Sequence, residues 1–275
     1  MSHPGESMSH PIKGFSTALY GWMERFKREG IEYDWHKLYR VCAEAGAEAV
    51  ETDATPEKLA IARSYGLQVS ASYIGIQLHL DFAKLDVDRN VLPHAERLAA
   101  AGGDTLLLNA DRTQGSHEGG ADKTEDDFKR QGENMSRIAE LVRSEFSLRT
   151  AMHNHAADKW HADGDLRSVL DYADVSLGLC VDTGWAIAAG QDPVAWIRDY
   201  PERIYAYHFR NGYGSTPTED LLVGDVDFPS LLAAIKASGY SGWLGLELWH
   251  PDTITPERSM SEDYRRSIEY VRSLL

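Results

Sequence analysis

Eight short apolar runs recur along the chain, separated by longer segments in which apolar residues return every three or four positions. That alternation marks successive β-α units around a parallel sheet. The runs predict strands near 15–20, 47–52, 68–73, 104–109, 148–153, 176–182, 204–209 and 243–248. The segments between them predict helices over 56–65, 91–101, 128–145, 166–172, 193–198 and 229–238, with a last one over 261–274. Local chemistry agrees with these bounds. Gly66, Gly102 and Gly239 stand where a left-handed residue ends a helix, and Asp192-Pro193 and Asp227-Phe228-Pro229 set a carboxylate acceptor beside a first-turn proline. Eight such units make a single (β/α)8 barrel of the α/β class.

Met1-Ser2-His3-Pro4 recurs as Met8-Ser9-His10-Pro11, so residues 1–12 read as a flexible leader and 13–275 as the barrel domain. His3 and His10 are then tail residues, not ligands. No Pro/Gly-rich linker, charge block or internal repeat marks a second domain. The stretch 109–127, rich in Gly, Asp, Ser and Thr, reads as a long loop after the fourth strand, either functional or a surface excursion.

A length of 275 residues suits one barrel of about 250. The formal net charge of −15 changes the picture more, because an acidic surface repels polyphosphate and gains little from counterion release. Nucleic acid is therefore not an expected partner. Cys42 and Cys180 are the only cysteines, too few for a disulfide framework or an all-cysteine zinc site, which fits a reducing cytoplasm. No window reaches the roughly 20 apolar residues of a bilayer span, and no basic-then-apolar segment opens the chain, so neither membrane nor export is expected.

Four late strands end in a potential metal ligand: Thr150-Ala151-Met152-His153-Asn154-His155, Leu179-Cys180-Val181-Asp182, Tyr205-Ala206-Tyr207-His208 and Leu244-Gly245-Leu246-Glu247. The residue two before each ligand shares its face of the sheet, and these are Ala151, Cys180, Ala206 and Gly245. All are small, which would leave room at the mouth for an ion and a substrate. Within its apolar surroundings Glu247 needs a cation, since an unpaired buried carboxylate costs several kcal/mol. Two imidazoles and two carboxylates suit one divalent metal ion, Mn2+, Co2+ or Zn2+, with Mg2+ less comfortable beside nitrogen ligands. Each residue also has a plain structural reading: a hydrogen-bonded strand-end histidine, a helix cap at Asp182-Thr183-Gly184, or a Glu247–Arg210 pair. Four coincidences at successive strand ends outweigh these. His155 shares a strand face with His153, so either could be the ligand from the fifth strand.

Other residues stand in the same ring. Glu51 is a candidate acid/base, substrate ligand or structural ion-pair partner. Arg210 is placed to bind a hydroxyl, carboxylate or phosphate, and Trp185 to wall a sugar ring or pack in the core. Tyr73 and Asn109, at the ends of the third and fourth strands, are further substrate-binding candidates. Trp22, Trp35, Trp160 and Trp196 are assigned to packing.

His153-Asn154-His155, Val181-Asp182-Thr183-Gly184-Trp185 with Ala189-Gly190-Gln191-Asp192-Pro193, His208, Gly224-Asp225-Val226-Asp227 and Leu246-Glu247 together resemble the xylose isomerase-like TIM-barrel superfamily, and most closely its sugar isomerase/epimerase and inosose dehydratase branch. The resemblance spans nearly the whole chain after the leader. It implies a metal held by strands five to eight, here His153, Asp182, His208 and Glu247. Many relatives have glutamate at the His153 position, where it also moves protons. They also have histidine where Trp185 stands, and a Lys-Asp pair in place of Arg210-Asn211. The superfamily's DNA-repair endonucleases require more metal ligands than this chain offers.

The resulting expectation is a metal-dependent sugar isomerase/epimerase acting on a sugar or cyclitol by proton abstraction next to a carbonyl, with Glu247, His155 and Glu51 as candidate catalytic groups. Loss of a β-hydroxyl from the same intermediate would make it a keto-sugar or inosose dehydratase, a lyase. A sugar-binding barrel or subunit without catalysis is the alternative of a different class. Barrels of this kind often associate, so a homo-oligomer is a further expectation.

Overall fold

Each of the eight apolar runs forms a parallel strand: β1 (Gly14–Ala18), β2 (Ala49–Glu51), β3 (Gln68–Ile76), β4 (Thr105–Ala110), β5 (Arg149–His153), β6 (Leu177–Asp182), β7 (Ile204–His208) and β8 (Trp243–Leu246). The structure is a computed structural model and describes residues 12–113, 122–155 and 158–275. Seven parallel ladders run in the order β8-β1-β2-β3-β4-β5-β6-β7. The barrel is drawn nearly closed between β7 and β8 by a parallel bridge, with the Phe209 N–H donating to the Gly245 carbonyl (2.8 Å) and the Glu247 N–H to the Phe209 carbonyl (3.1 Å). This is the single (β/α)8 TIM barrel that the alternation predicts. The leader assignment falls almost wholly on residues 1–11, outside the described residues, as does the centre of the 109–127 stretch.

Helices α1 (Tyr20–Arg28), α2 (Trp35–Glu44), α3 (Pro56–Ser64), α4 (Val87–Asn90), α5 (Leu92–Ala101), α6 (Glu125–Phe146), α7 (Lys159–Leu170), α8 (Thr183–Ala188), α9 (Pro193–Asp199), α10 (Phe228–Ser238) and α11 (Met260–Leu274) lie between and after the strands. Outward-facing strand residues such as Val50, Leu106, Met152, Val181 and Leu244 pack with them in the main apolar core. Inside the barrel a second, small cluster joins Ala71, Leu107, Ala151 and Cys180. Among the described residues, no helix is long and apolar enough to cross a membrane.

Helices α4 and α8 have no counterpart among the predicted helices, and α1, α2 and α7 correct the sequence reading further. None is predicted between the first two strands, yet α1 and α2 are there. Within α1, a Cβ at Gly21 would lie 1.8 Å from the Leu248 carbonyl, so the glycine permits close docking on the chain after β8. Helix α7 begins seven residues before the predicted 166, capped by Asp158, whose carboxylate accepts from the His161 N–H (3.0 Å). Gly164 interrupts its helical pattern because the Phe128 ring of α6 presses against it, a Cβ there meeting ring carbon at 2.1 Å. The loop predicted over 109–127 is shorter, since β4 runs to Ala110 and α6 begins at Glu125 behind a Thr124–Asp127 capping box.

Candidate metal centre and adjoining cavity

Strand register sets the level of each polar group at the C-terminal mouth. Asp182 pairs with His208 across β6 and β7, and Asn109 with His153 across β4 and β5. One ligand atom each from His153, Asp182, His208 and Glu247 lies within 4.8 Å of the other three, so the chain brings together the four residues named from its strand ends. His153 Nε2 is 3.4 Å from Asp182 Oδ2 and 3.7 Å from Glu247 Oε2, and His208 Nδ1 is 3.0 Å from Glu247 Oε2. These atoms are close without being aligned as hydrogen bonds: His153 Nε2, Asp182 Oδ2 and His208 Nδ1 are all buried and lack a hydrogen-bond partner. Buried polar atoms without partners are uncommon and call for an explanation. Three of them, converging with the Glu247 carboxylate, have the arrangement of ligands around an ion.

The outer contacts fix the inner ones. His208 Nε2 is hydrogen-bonded to Glu51 Oε2 at 2.8 Å, which leaves Nδ1 turned to the centre. Asp182 Oδ1 accepts from the Trp185 N–H (2.8 Å) and from Arg210 Nε (3.1 Å), leaving Oδ2 facing His153 and Arg210 Nη2. Asp182 is thus a helix cap and a member of the cluster at once. Asn154 continues the β5–β6 ladder with its side chain, donating to the Asp182 carbonyl (2.9 Å) and accepting from the Asp182 N–H (2.7 Å). Thr183 does the same for β7 by exchanging hydrogen bonds with the Arg210 backbone. Carboxylates behind ligating histidines and hydrogen bonds behind ligating carboxylates are the usual supports of metal ligands.

Electrostatics follow from this crowding. Burial opposes charge on His153 and His208. The neighbouring Asp182 and Glu247 nevertheless raise His153, and Cys180, Glu51 and Glu247 raise His208 well above the ordinary imidazole value. Burial would also raise Glu247, but His208, His153 and Arg210 hold its carboxyl well below the usual range.

Beside the centre opens a cavity of about 480 Å3, bounded by Leu19, Tyr20, Met23 and Trp35 on its apolar side and by Glu51, Tyr73, His155 and Glu247 towards the centre. Glu247 is the one cluster member that is not fully buried, and it lines this space. Tyr73 meets the His153 ring edge-on, centroids 5.5 Å apart, and burial and nearby carboxylates raise its phenol pKa.

The remaining candidates divide. His155 sits outside the four-residue cluster at the rim, its ring 4.6 Å from Trp185, and desolvation and His153 push its pKa down to about 4. Arg210 is buried against Asp182, not against Glu247, and its guanidinium lies over Trp185 at 4.8 Å. Trp185 is half-buried and faces Trp249 at 6.4 Å, forming an aromatic rim. Asn109 is turned to Asp111, to which it donates at 2.7 Å, and does not border the cavity. Of the tryptophans assigned to packing, Trp22 and Trp196 are core residues. Trp35 packs against that core and also lines the cavity, and Trp160 is 47% exposed. Gly245 owes its size to backbone crowding, since a Cβ there would lie 2.3 Å from the Tyr207 carbonyl. Asn154 and the wall residues Leu19, Met23 and Lys58 escaped the sequence reading because single polar or apolar residues after a strand carry no periodic signal.

A family model described as the xylose isomerase-like TIM barrel matches residues 30–274. The chain is 25% identical over 211 residues to the rhizopine catabolism protein MocC of Rhizobium meliloti, covering 66% of this chain and 63% of that protein. It is 24% identical over 147 residues to the inosose dehydratase of Lacticaseibacillus casei, covering 45% of this chain and 48% of the relative. The chain therefore spans less than two thirds of the first of these relatives and about half of the second. A solved sugar phosphate isomerase/epimerase from Parabacteroides distasonis superposes with a TM-score of 0.72 at 18% identity, covering 96% of this chain and 95% of that one, which shows a shared fold.

Proposed function

The chain belongs to the xylose isomerase-like TIM barrel family, and within it we propose a divalent-metal-dependent isomerase or epimerase that abstracts a proton next to the carbonyl of a sugar or cyclitol. The observation that carries this reading is the convergence of His153, Asp182, His208 and Glu247 within 4.8 Å, directly beside an open cavity. The unpartnered buried atoms of His153, Asp182 and His208, with the Glu247 carboxylate, fit an ion of the Mn2+, Co2+ or Zn2+ kind, with Mg2+ less suited to the two nitrogens. Bound there, such an ion would polarise a carbonyl oxygen as a Lewis acid.

The chain's own residues supply the rest. Glu247, held ionised by the surrounding cations and open to the cavity, is the candidate base. His155 is neutral near pH 7 and borders the same cavity, so it can accept or return a proton at a second position. Tyr73 stays protonated and offers a hydroxyl to a substrate oxygen. Glu51 is engaged with His208, so its role is to hold that imidazole. Leu19, Met23 and Trp35 keep one side of the cavity apolar, which limits water around the reacting carbons.

A second reading is dehydration of a keto-sugar or inosose by β-elimination. It is favoured by the similarity to inosose dehydratase and by histidine in place of a second strand-end glutamate. Incubating metal-loaded protein with ketoses and keto-inositols in D2O separates the two by NMR. Deuterium incorporation without elimination supports isomerisation or epimerisation, and an unsaturated product supports the lyase. Sugar binding with neither outcome would leave a non-catalytic barrel.

A further inference from the structure

The cavity beside the centre carries a cation that the reaction does not use. Lys58, in the first turn of α3, lines the same space as Glu51, Tyr73 and Glu247. Its ammonium rests over the Trp35 ring, 4.1 Å from the centroid. Each carboxylate on the cavity wall already has a cationic or imidazole partner. Glu51 has His208 Nε2 at 2.8 Å, Asp53 has Arg97 Nε at 2.7 Å, and Glu247 has His208 Nδ1 at 3.0 Å. The Lys58 ammonium, among the described residues, makes neither an ion pair nor a hydrogen bond, and the aromatic face beneath it is its one contact of that kind. In a chain of net charge −15 an unmatched cation inside a cleft is not a product of surplus basic residues.

We propose that Lys58 binds an anionic substituent, carboxylate or phosphate, at the end of the substrate remote from the reacting carbons. This rests on the reading of the four-residue centre as the place where the carbonyl end is bound. An ammonium is a compact point charge with three donors on a flexible stem, so it can leave the Trp35 face to meet an anion without disturbing the wall. The ring it leaves becomes an apolar face for the body of the ligand. The substrate class is then an acidic or phosphorylated sugar, with Lys58 selecting against neutral ones.

The test is a fluorescence titration of the protein with D-fructose, D-fructuronate and D-fructose 6-phosphate, comparing wild type, Lys58→Gln and Lys58→Arg. Expected is a roughly tenfold or greater preference for a charged sugar over neutral D-fructose, lost in Lys58→Gln and kept in Lys58→Arg. The charged sugar that shows the larger Lys58-dependent preference identifies the carboxylate or the phosphate source. Equal affinities across the series in wild type, or a preference that persists in Lys58→Gln, overturn the proposal. Anion binding at the metal centre would survive loss of Lys58. The ratio is also read whether or not solvent deuterium is incorporated, so failure here is distinct from failure of the enzymatic reading.

Discussion

Glu51 reaches from the end of β2 across the barrel mouth to His208 at the end of β7, with its Oε2 2.8 Å from the imidazole Nε2. The contact fixes which nitrogen faces the four-residue centre. Glu51→Ala is accordingly expected to weaken metal affinity about 10–100-fold while the fold persists, as for other carboxylates behind ligating histidines. Chelator competition followed by elemental analysis measures it. Unaltered affinity would show that His208 is oriented by something else.

The same logic applies more strongly to the inner residues. Glu247→Gln and His208→Ala should each lower metal content after dialysis against limiting Mn2+ or Zn2+, because each removes one of four donors. Full occupancy in both variants would refute the ligand set.

Asn154 holds the Asp182 backbone through two hydrogen bonds in a buried setting. Asn154→Ala leaves that N–H and carbonyl without their partner and should cost about 1–3 kcal/mol per stranded group in urea unfolding. Because the bonds set the height of Asp182, metal affinity should fall in step with stability. A variant as stable as wild type would contradict the assignment.

The chain after β8 is strapped down by charge. His250 lies between Arg25 Nη1 (2.8 Å) and the Glu219 carbonyl (2.9 Å), and Arg258 Nε donates to Asp263 at 2.7 Å. Burial raises the Asp263 carboxyl to about 6 despite that arginine. The folded state therefore binds the proton more tightly than the unfolded chain. Stability from this group is retained below the unfolded value near 4 and is lost as pH rises through about 6. Relative to Asp263→Asn, wild type should be at its best near pH 4 and fall behind by pH 7. Denaturation midpoints of both proteins across that range test this, and a constant gap would contradict it.

Docking of α1 on the same segment depends on Gly21, whose missing Cβ would meet the Leu248 carbonyl at 1.8 Å. Gly21→Ala should destabilise the protein by about 1–3 kcal/mol through overpacking. It should also lower turnover, since Leu248 directly follows Glu247. Thermal melts and solvent-exchange rates on one preparation check both effects.

The parts of this molecule written as periodic patterns were legible in its sequence. Strand alternation gave the barrel, and polar residues ending four successive apolar runs gave the cluster, because period-two geometry turns His153, Asp182, His208 and Glu247 to one face. Features that depend on contacts between distant segments were not legible. The roles of Gly21 and Gly164 carry no local signal because the carbonyl and ring they accommodate come from elsewhere in the chain. Trp35 and Lys58 look like ordinary helix residues until α2 and α3 are placed beside the mouth. Arg210 has the chemistry of a substrate ligand, and its ion pair with Asp182 joins residues 28 apart in sequence that no local pattern links.

The central claim is a single-ion centre at the barrel mouth, and crystals soaked in Mn2+ test it most directly by anomalous scattering. The account predicts one strong peak within coordination distance of His153, Asp182, His208 and Glu247. Manganese bound elsewhere, with no peak among these four, would contradict it.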